Sequence, residues 1–184
     1  MKSLYLLFII AVAFTSCKTE PETDPTVNAE MMFTENSKTV LANIQGWESE
    51  NLDYSMYADD FVMLETAFGS EKDSIGLVEM KGYDKQMWEA YDFEMVTDPI
   101  LLPGVDPDTK DPDGSVRHYS TWKVIKPATD STEARSGEIK LYESFDFDEE
   151  GKIIYQQIYG DFTGLMMHLH NMDMKPKMET EENM

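Results

Sequence analysis

The sequence predicts an α+β domain, helices first and antiparallel strands afterwards, and three observations predict it. Apolar residues recur at helical spacing only early in the chain, at Val40, Leu41, Ile44 and Trp47 and again at Tyr83, Met87, Trp88 and Tyr91. From Phe93 to Tyr159 the pattern changes to runs of β-branched and aromatic residues separated by turn signals. The 184 residues, 41% of them hydrophobic, suffice for one packed domain. Helices grouped ahead of strands pack together on one sheet face.

The elements follow in order. Asn36 or Ser37 caps the first helix, and a short second turn lies around Tyr54, Ser55, Met56 and Tyr57, ending at Asp59 and Asp60. Residues 61–66 (FVMLET) form a strand bounded by polar residues. A helix after Gly82 carries the Tyr83–Tyr91 stripe, and 93–102 is a strand closed by Pro103. The stretch 103–115 is a turn-rich loop with a hairpin signal at Asp113 and Gly114. Strands at 116–126, 138–148 and 152–159 complete a meander, the last two joined by a turn at Glu150 and Gly151.

The ends differ from this body. Lys2 precedes an apolar run over residues 4–14, too short for a bilayer, which needs about 20 residues. A positive start, a short apolar run and small residues after it make a secretory signal. Phe14-Thr15-Ser16-Cys17 resembles a bacterial lipobox, which implies that Cys17 is lipidated and begins the mature chain. The expected organisation is a lipoprotein signal peptide at 1–17, a flexible Pro/Thr/Glu tether at 18–32, the domain at 33–170 and a polar tail at 171–184. That arrangement implies a lipid-anchored, extracytoplasmic protein of the cell envelope, periplasmic or at the cell surface, touching membrane only through its anchor.

Composition excludes several classes. Asp and Glu number 36 against 15 Lys and Arg, a formal net charge of −21 that lies mostly on the folded body and disfavours nucleic acid. One cysteine leaves no internal disulfide and no Cys-rich zinc site. No P-loop, dinucleotide-binding glycine pattern, zinc-protease motif or nucleophile elbow is written in the chain, and no cofactor is expected. The acidic loop at 106–114 lacks the ligand spacing of a calcium loop, with Lys110 where a ligand belongs.

The element order, together with Tyr57-Ala58-Asp59-Asp60, Gly82-Tyr83-Asp84 with Trp88, and Gly151-Lys152-Ile153 with Asp161, resembles the nuclear transport factor 2-like superfamily, in its SnoaL-like branch. Tyr57-Ala58-Asp59-Asp60 is similar to that family's step from second helix to first strand. Gly82-Tyr83-Asp84 with Trp88 resembles its third-helix opening, and Gly151-Lys152-Ile153 with Asp161 its last strand. The resemblance covers residues 37–169. It implies a cone-shaped curved antiparallel sheet wrapped on three N-terminal helices, with a pocket between them and an outer face that commonly makes a homodimer. It leaves chemistry open, because the fold hosts enzymes and plain binding proteins alike.

Three carboxylates are candidate catalytic groups. Glu143 stands alone among Ile139, Leu141, Phe145 and Phe147 on one strand face. A carboxyl in apolar surroundings suits general acid or base work, while a rim position or a bond to a Tyr is the structural alternative. The resemblance places Glu65, seven residues after Ala58, where ketosteroid-isomerase-like relatives carry their carboxylate. It places Asp161 where polyketide-cyclase relatives carry an acid/base Asp, capping of the following turn being the alternative. Alternation puts Tyr155, Gln157, Tyr159 and Asp161 on one face with Ile153, a face the resemblance turns inward. His118 and Trp122 share a face on their own strand and join Tyr155, Gln157 and Tyr159 as candidate pocket residues. His168, His170, Met172 and Met174 interleave imidazoles with thioethers, a donor set suited to Cu(I), with packed Met side chains as the alternative. The sequence therefore points to a binder of a small, partly apolar molecule. A proton-transfer enzyme of isomerase, cyclase or dehydratase type and a dimeric interaction module are the alternatives.

Overall fold

Two long strands, β5 (Pro112–Lys126) and β6 (Arg135–Phe147), form the spine of the molecule, paired antiparallel from Val116 with Phe145 to Lys126 with Arg135. The computed structural model describes residues 25–172, so Cys17 and Met174 lie outside the described residues. Ahead of the spine come helix α1 (Pro25–Glu48), one 3-10 turn (Tyr54–Met56), β1 (Tyr57–Leu64), β2 (Ser74–Gly76), α2 (Leu77–Ala90), β3 (Asp92–Met95) and β4 (Ile100–Val105). After it come β7 (Ile153–Tyr159) and α3 (Phe162–Leu169). The seven strands form one open sheet in the order β2-β1-β7-β6-β5-β3, with β4 also paired to β5. This is the expected α+β class: α1, the 3-10 turn and α2 precede the main strands, and α3 is a further helix at the far end.

Several elements depart from expectation for identifiable reasons. Helix α1 starts at Pro25, so residues 25–32, read as tether, are its first turns. Proline suits the first turn of a helix, and these turns are held by packing rather than by composition. Ala29 is buried, and Met32 lies against Gly114. Asn36 is consequently mid-helix, donating from Nδ2 to the Gly114 carbonyl at 2.9 Å instead of capping. Gly114 itself sits in an irregular stretch of β5, not in a hairpin turn. Its φ of +79° and the Met32 Cβ 2.7 Å from where a Cβ would stand both require glycine. The tight turn falls earlier, where the Asp106 carboxylate accepts the N–H groups of Asp108 and Thr109, each at 2.8 Å.

The stretch 93–102 is two strands, broken near Pro99, and both lie on the same edge of β5. The sheet is antiparallel except for β1, which runs parallel to β7. The most consequential difference is in β7. Asp146 pairs with Tyr155 but Phe147 pairs with Ile153, so Ile154 is an extra residue, a one-residue β-bulge. Since side chains alternate with period two, the bulge exchanges faces for everything beyond it. Ile153 points into the core at 0% exposure, and Gln156 and Ile158 then take the inner face. Tyr155, Gln157 and Tyr159, expected inside, point outward.

The core fills the concave side of the sheet under α1 and α2. Val40, Phe61, Val116, Phe145 and Leu169 are almost wholly enclosed. Trp47 packs edge-on against Trp88 and Phe93, with ring centroids 5.3 and 4.7 Å apart. Leu165 and Leu169 of α3 are buried beside β6, and Leu165 comes so close that a Cβ on Gly137 would lie 2.8 Å from its Cδ1.

Candidate functional site

Between α1, α2 and the concave sheet face the core leaves a cavity of about 480 Å³. Its walls are predominantly apolar and aromatic: Ile44 and Trp47 from α1, Met80 and Met87 from α2, Phe93 from β3, Trp122 and Val124 from β5, Ile139 and Leu141 from β6, Ile158 from β7 and Phe162 from α3. The polar lining is small: Asn43, Tyr57, Glu65, Tyr83, Asp84, Glu143 and Gln156. A concave apolar chamber with a few convergent polar groups is the usual form of a small-molecule site.

The polar groups form short chains. Glu143, 8% exposed, opposes His118 directly across the β5–β6 ladder, with Nδ1 3.5 Å from Oε1. The Gln156 amide donates to the other Glu143 oxygen at 3.3 Å. Asp84, 6% exposed, accepts from the Tyr54 hydroxyl at 2.8 Å, and Lys81 lies over the Tyr54 ring. Tyr57 accepts from Asn43. Burial pushes the Asp84 carboxyl up to about 6, against the lowering effect of the Tyr54 hydrogen bond. The Tyr54 and Tyr57 hydroxyls are raised above the ordinary phenol range, in both cases chiefly by burial. Around this cluster the His118 ring nitrogens, Ser120 Oγ, Trp122 Nε1 and Gln156 Oε1 are buried without a hydrogen-bond partner. Buried polar atoms are rarely left so, and their concentration here marks the cavity base as unusual.

The structure thus brings together only part of the residues singled out in the sequence. Glu65, just beyond β1, and Glu143 both line the cavity, as does Trp122. His118 stands behind Glu143, wholly enclosed. Asp161 does not join them. It is the N-cap of α3, accepting the Gly164 N–H at 2.8 Å, because β7 has already ended and the chain must start a helix. Tyr155, Gln157 and Tyr159 lie on the opposite sheet face, where both tyrosine hydroxyls donate to Gln157 Oε1 at 3.2 Å.

Of the copper candidates, His170 bonds Tyr91 at 2.8 Å and Lys126 at 3.1 Å, whereas His168 bonds the Ser136 carbonyl at 3.0 Å. Met172 is exposed, and no group of three His, Cys, Asp or Glu among the described residues could hold a metal. The two imidazoles serve different protein partners, and the geometry does not assemble the copper set.

Asp84 is the member that sequence reasoning missed. It lies on the buried stripe of α2, four residues after Met80 and three before Met87. A carboxylate at that spacing within an apolar stripe is the signal that could have found it.

No protein-family model matches the chain, and no curated protein matches it in sequence. Solved structures do. A phenazine biosynthesis-related protein from Pseudomonas aeruginosa superposes with a TM-score of 0.56 at 12% identity, over 91% of this chain and 97% of that one. A nuclear transport factor 2-like protein from Burkholderia xenovorans gives 0.53 at 11% identity, over 76% and 96%. A proposed SnoaL-like polyketide cyclase from Shewanella denitrificans gives 0.52 at 13% identity, over 74% and 98%. Identities this low carry the fold and no chemistry. Cone, cavity and neighbours agree on one conclusion: the chain has the nuclear transport factor 2-like fold.

Proposed function

We propose that this protein binds a small, partly apolar molecule in the cavity between its helices and the concave sheet face. The observation that carries the reading is the chamber of about 480 Å³, apolar over most of its wall and polar at one cluster. The small-molecule roles given to the phenazine biosynthesis-related and proposed polyketide cyclase neighbours are in keeping with it. A thermal-shift screen tests it. A ligand at 100 times its Kd stabilises by about 2.7 kcal/mol, and Leu141→Trp, which fills the chamber, should abolish that shift. If shifts persist unchanged in the filled variant, the cavity is not the binding site.

Proton transfer is the second reading, favoured by Asp84, whose carboxyl burial holds at about 6 beside the Tyr54 hydroxyl. In this version a carboxylate takes a proton from a carbon beside a carbonyl, leaving an enolate, and returns a proton to it. The wash-in of deuterium at the α-carbon of 2-tetralone, followed by NMR, reports that step. Catalysed exchange should fall about a hundredfold or more in Asp84→Asn or Glu143→Gln; exchange at the buffer rate with the unmodified protein rules the step out for this probe.

Two further features of the reading concern assembly and location. Ile100, Tyr119, Tyr142 and Tyr159 lie opposite one another in successive strands, a row across the outer face in which the described apolar residues are largely exposed. Such a ladder suits self-association as a homodimer. Light scattering at micromolar concentration should give twice the chain mass, and Tyr119→Lys should give the single mass. The lipobox-like ending Phe14-Thr15-Ser16-Cys17 supports a lipid anchor at Cys17 and a place in the cell envelope. No helix among the described residues is long and apolar enough to cross a membrane. Cys17→Ala should move the protein from the membrane fraction to the soluble one, and continued membrane retention would remove the anchor.

A further inference from the structure

Among the described residues, the carboxylates of the cavity have no Lys or Arg to match them: Glu65, Asp84 and Glu143 line the chamber, and no described Lys or Arg does. Among the described residues, every Lys or Arg ion pair is made elsewhere, and none reaches these groups. Lys81 lies over the Tyr54 ring and forms no ion pair with Asp84. His118 faces Glu143 alone, so even a protonated imidazole offsets one negative charge and leaves the others. Carboxylates withdrawn from water ordinarily keep a cationic partner, because unpaired burial costs several kcal/mol.

A second, independent observation concerns Gln156. Its Nε2 donates to Glu143, which sets the orientation of the amide and turns Oε1 away from the carboxylate. That oxygen is an acceptor with no partner, on a cavity-lining side chain only 5% exposed. The Glu143 carboxylate and Gln156 Oε1 therefore present acceptors side by side, while the Trp122 Nε1–H is an unpartnered donor in the chamber lining. Trp47, Trp122 and Phe93 also line the chamber, and aromatic rings can attract positive charge through their faces.

We propose that the cavity is built for an organic cation: a protonated amine carried on an aromatic or aliphatic body. This rests on the pocket reading above and adds the charge of the ligand. An ammonium group has three donors and no acceptor, so it answers the carboxylates and Gln156 Oε1 together. Its apolar body fills the remaining wall. The unpartnered Trp122 Nε1–H leaves room for a single acceptor elsewhere on the ligand. The net charge of −21 on the chain draws cations toward the protein and repels anions.

Isothermal titration of the purified protein near pH 8, above the value near 6 to which Asp84 is raised, tests the proposal. Tryptamine, tryptophol and indole-3-propionate share one ring system and carry positive, zero and negative charge. Tryptamine should bind about tenfold or more tightly than tryptophol, and the propionate should bind weakest. Glu143→Gln and Asp84→Asn should each weaken tryptamine far more than tryptophol and so remove most of the preference for the amine. The charge series on the unmodified protein stands even where a variant folds poorly.

Tryptophol binding as tightly as tryptamine overturns the cation proposal and leaves the pocket reading intact. A tryptamine preference that survives both substitutions belongs to the acidic surface and also overturns it. Failure of all three probes at millimolar concentration overturns the proposal together with the pocket reading.

Discussion

The two faces of the same sheet solve the same problem differently. On the outer face Arg117 pairs with Asp146 at 2.9 Å, Gln157 accepts from two tyrosines, and the Tyr119 and Tyr142 rings meet at a tilt with centroids 5.0 Å apart. Most polar groups there reach partners or water. On the inner face His118, Ser120, Trp122 and Gln156 hold buried atoms without partners, against Ser144 alone on the outer side. A sheet optimised only for stability would not concentrate its unsatisfied groups beside this apolar chamber, since each costs about 1–3 kcal/mol. The contrast supports the proposed binding site on the concave side, and the outer tyrosine row supports the proposed self-association on the convex side.

Substitutions can break or sharpen that contrast. The largest effect should come from Phe145→Ala, which empties an inner position with 0% exposure. It should lower unfolding free energy by about 3–5 kcal/mol in chemical denaturation. Tyr119→Ala, on an outer residue 46% exposed, should stay within about 1 kcal/mol. Equal losses at the two positions would mean that the outer ladder is as structural as the core.

Next in size is a gain. The Asp84 carboxyl has its folded value raised from 3.8 to about 6, so between those values the folded protein keeps a proton that the unfolded chain has released. Stability therefore falls as pH rises through that window, and the loss persists above it. Asp84→Asn should be more stable than the parent near pH 8, by on the order of 2 kcal/mol, and the advantage should vanish near pH 4. A variant less stable at both values would show that the carboxylate is compensated where it sits.

Smaller still is Asp161→Ala. Loss of the α3 cap should cost about 1 kcal/mol while leaving ligand affinity unchanged, which separates capping from catalysis. Changed affinity would return Asp161 to the site. Smallest is the outer ion pair: a double-mutant cycle on Arg117 and Asp146 should give less than about 1 kcal/mol, declining in salt.

Much of the fold was legible because it is written in local patterns. The helical stripes at Val40–Trp47 and Met87–Tyr91 and the long alternating strands each carry their own period. Glu143 was legible for the same reason, as the odd residue on an otherwise apolar face. What escaped depended on single irregularities or on contacts across the molecule. The Ile154 bulge is one residue with no composition signature, yet it exchanged Gln156 for Tyr155 and Gln157 at the cavity wall. The first turns of α1 read as tether because their own composition buries little; in the fold Ala29 is buried and Met32 packs against Gly114 of β5.

By itself the sequence determined the class, the early helices and the long strands that follow them, the acidic balance and a carboxylate on the inner face of β6. These follow from periodicity and charge, which neighbouring residues set between themselves. Only the tertiary structure decided which face of β7 looks inward, that Asp161 is a cap, and that Asp84 joins Glu65 and Glu143 around one chamber without a Lys or Arg. The reason is that a carboxyl's chemistry depends on how much water and which partners surround it, and those are supplied by elements far away along the chain.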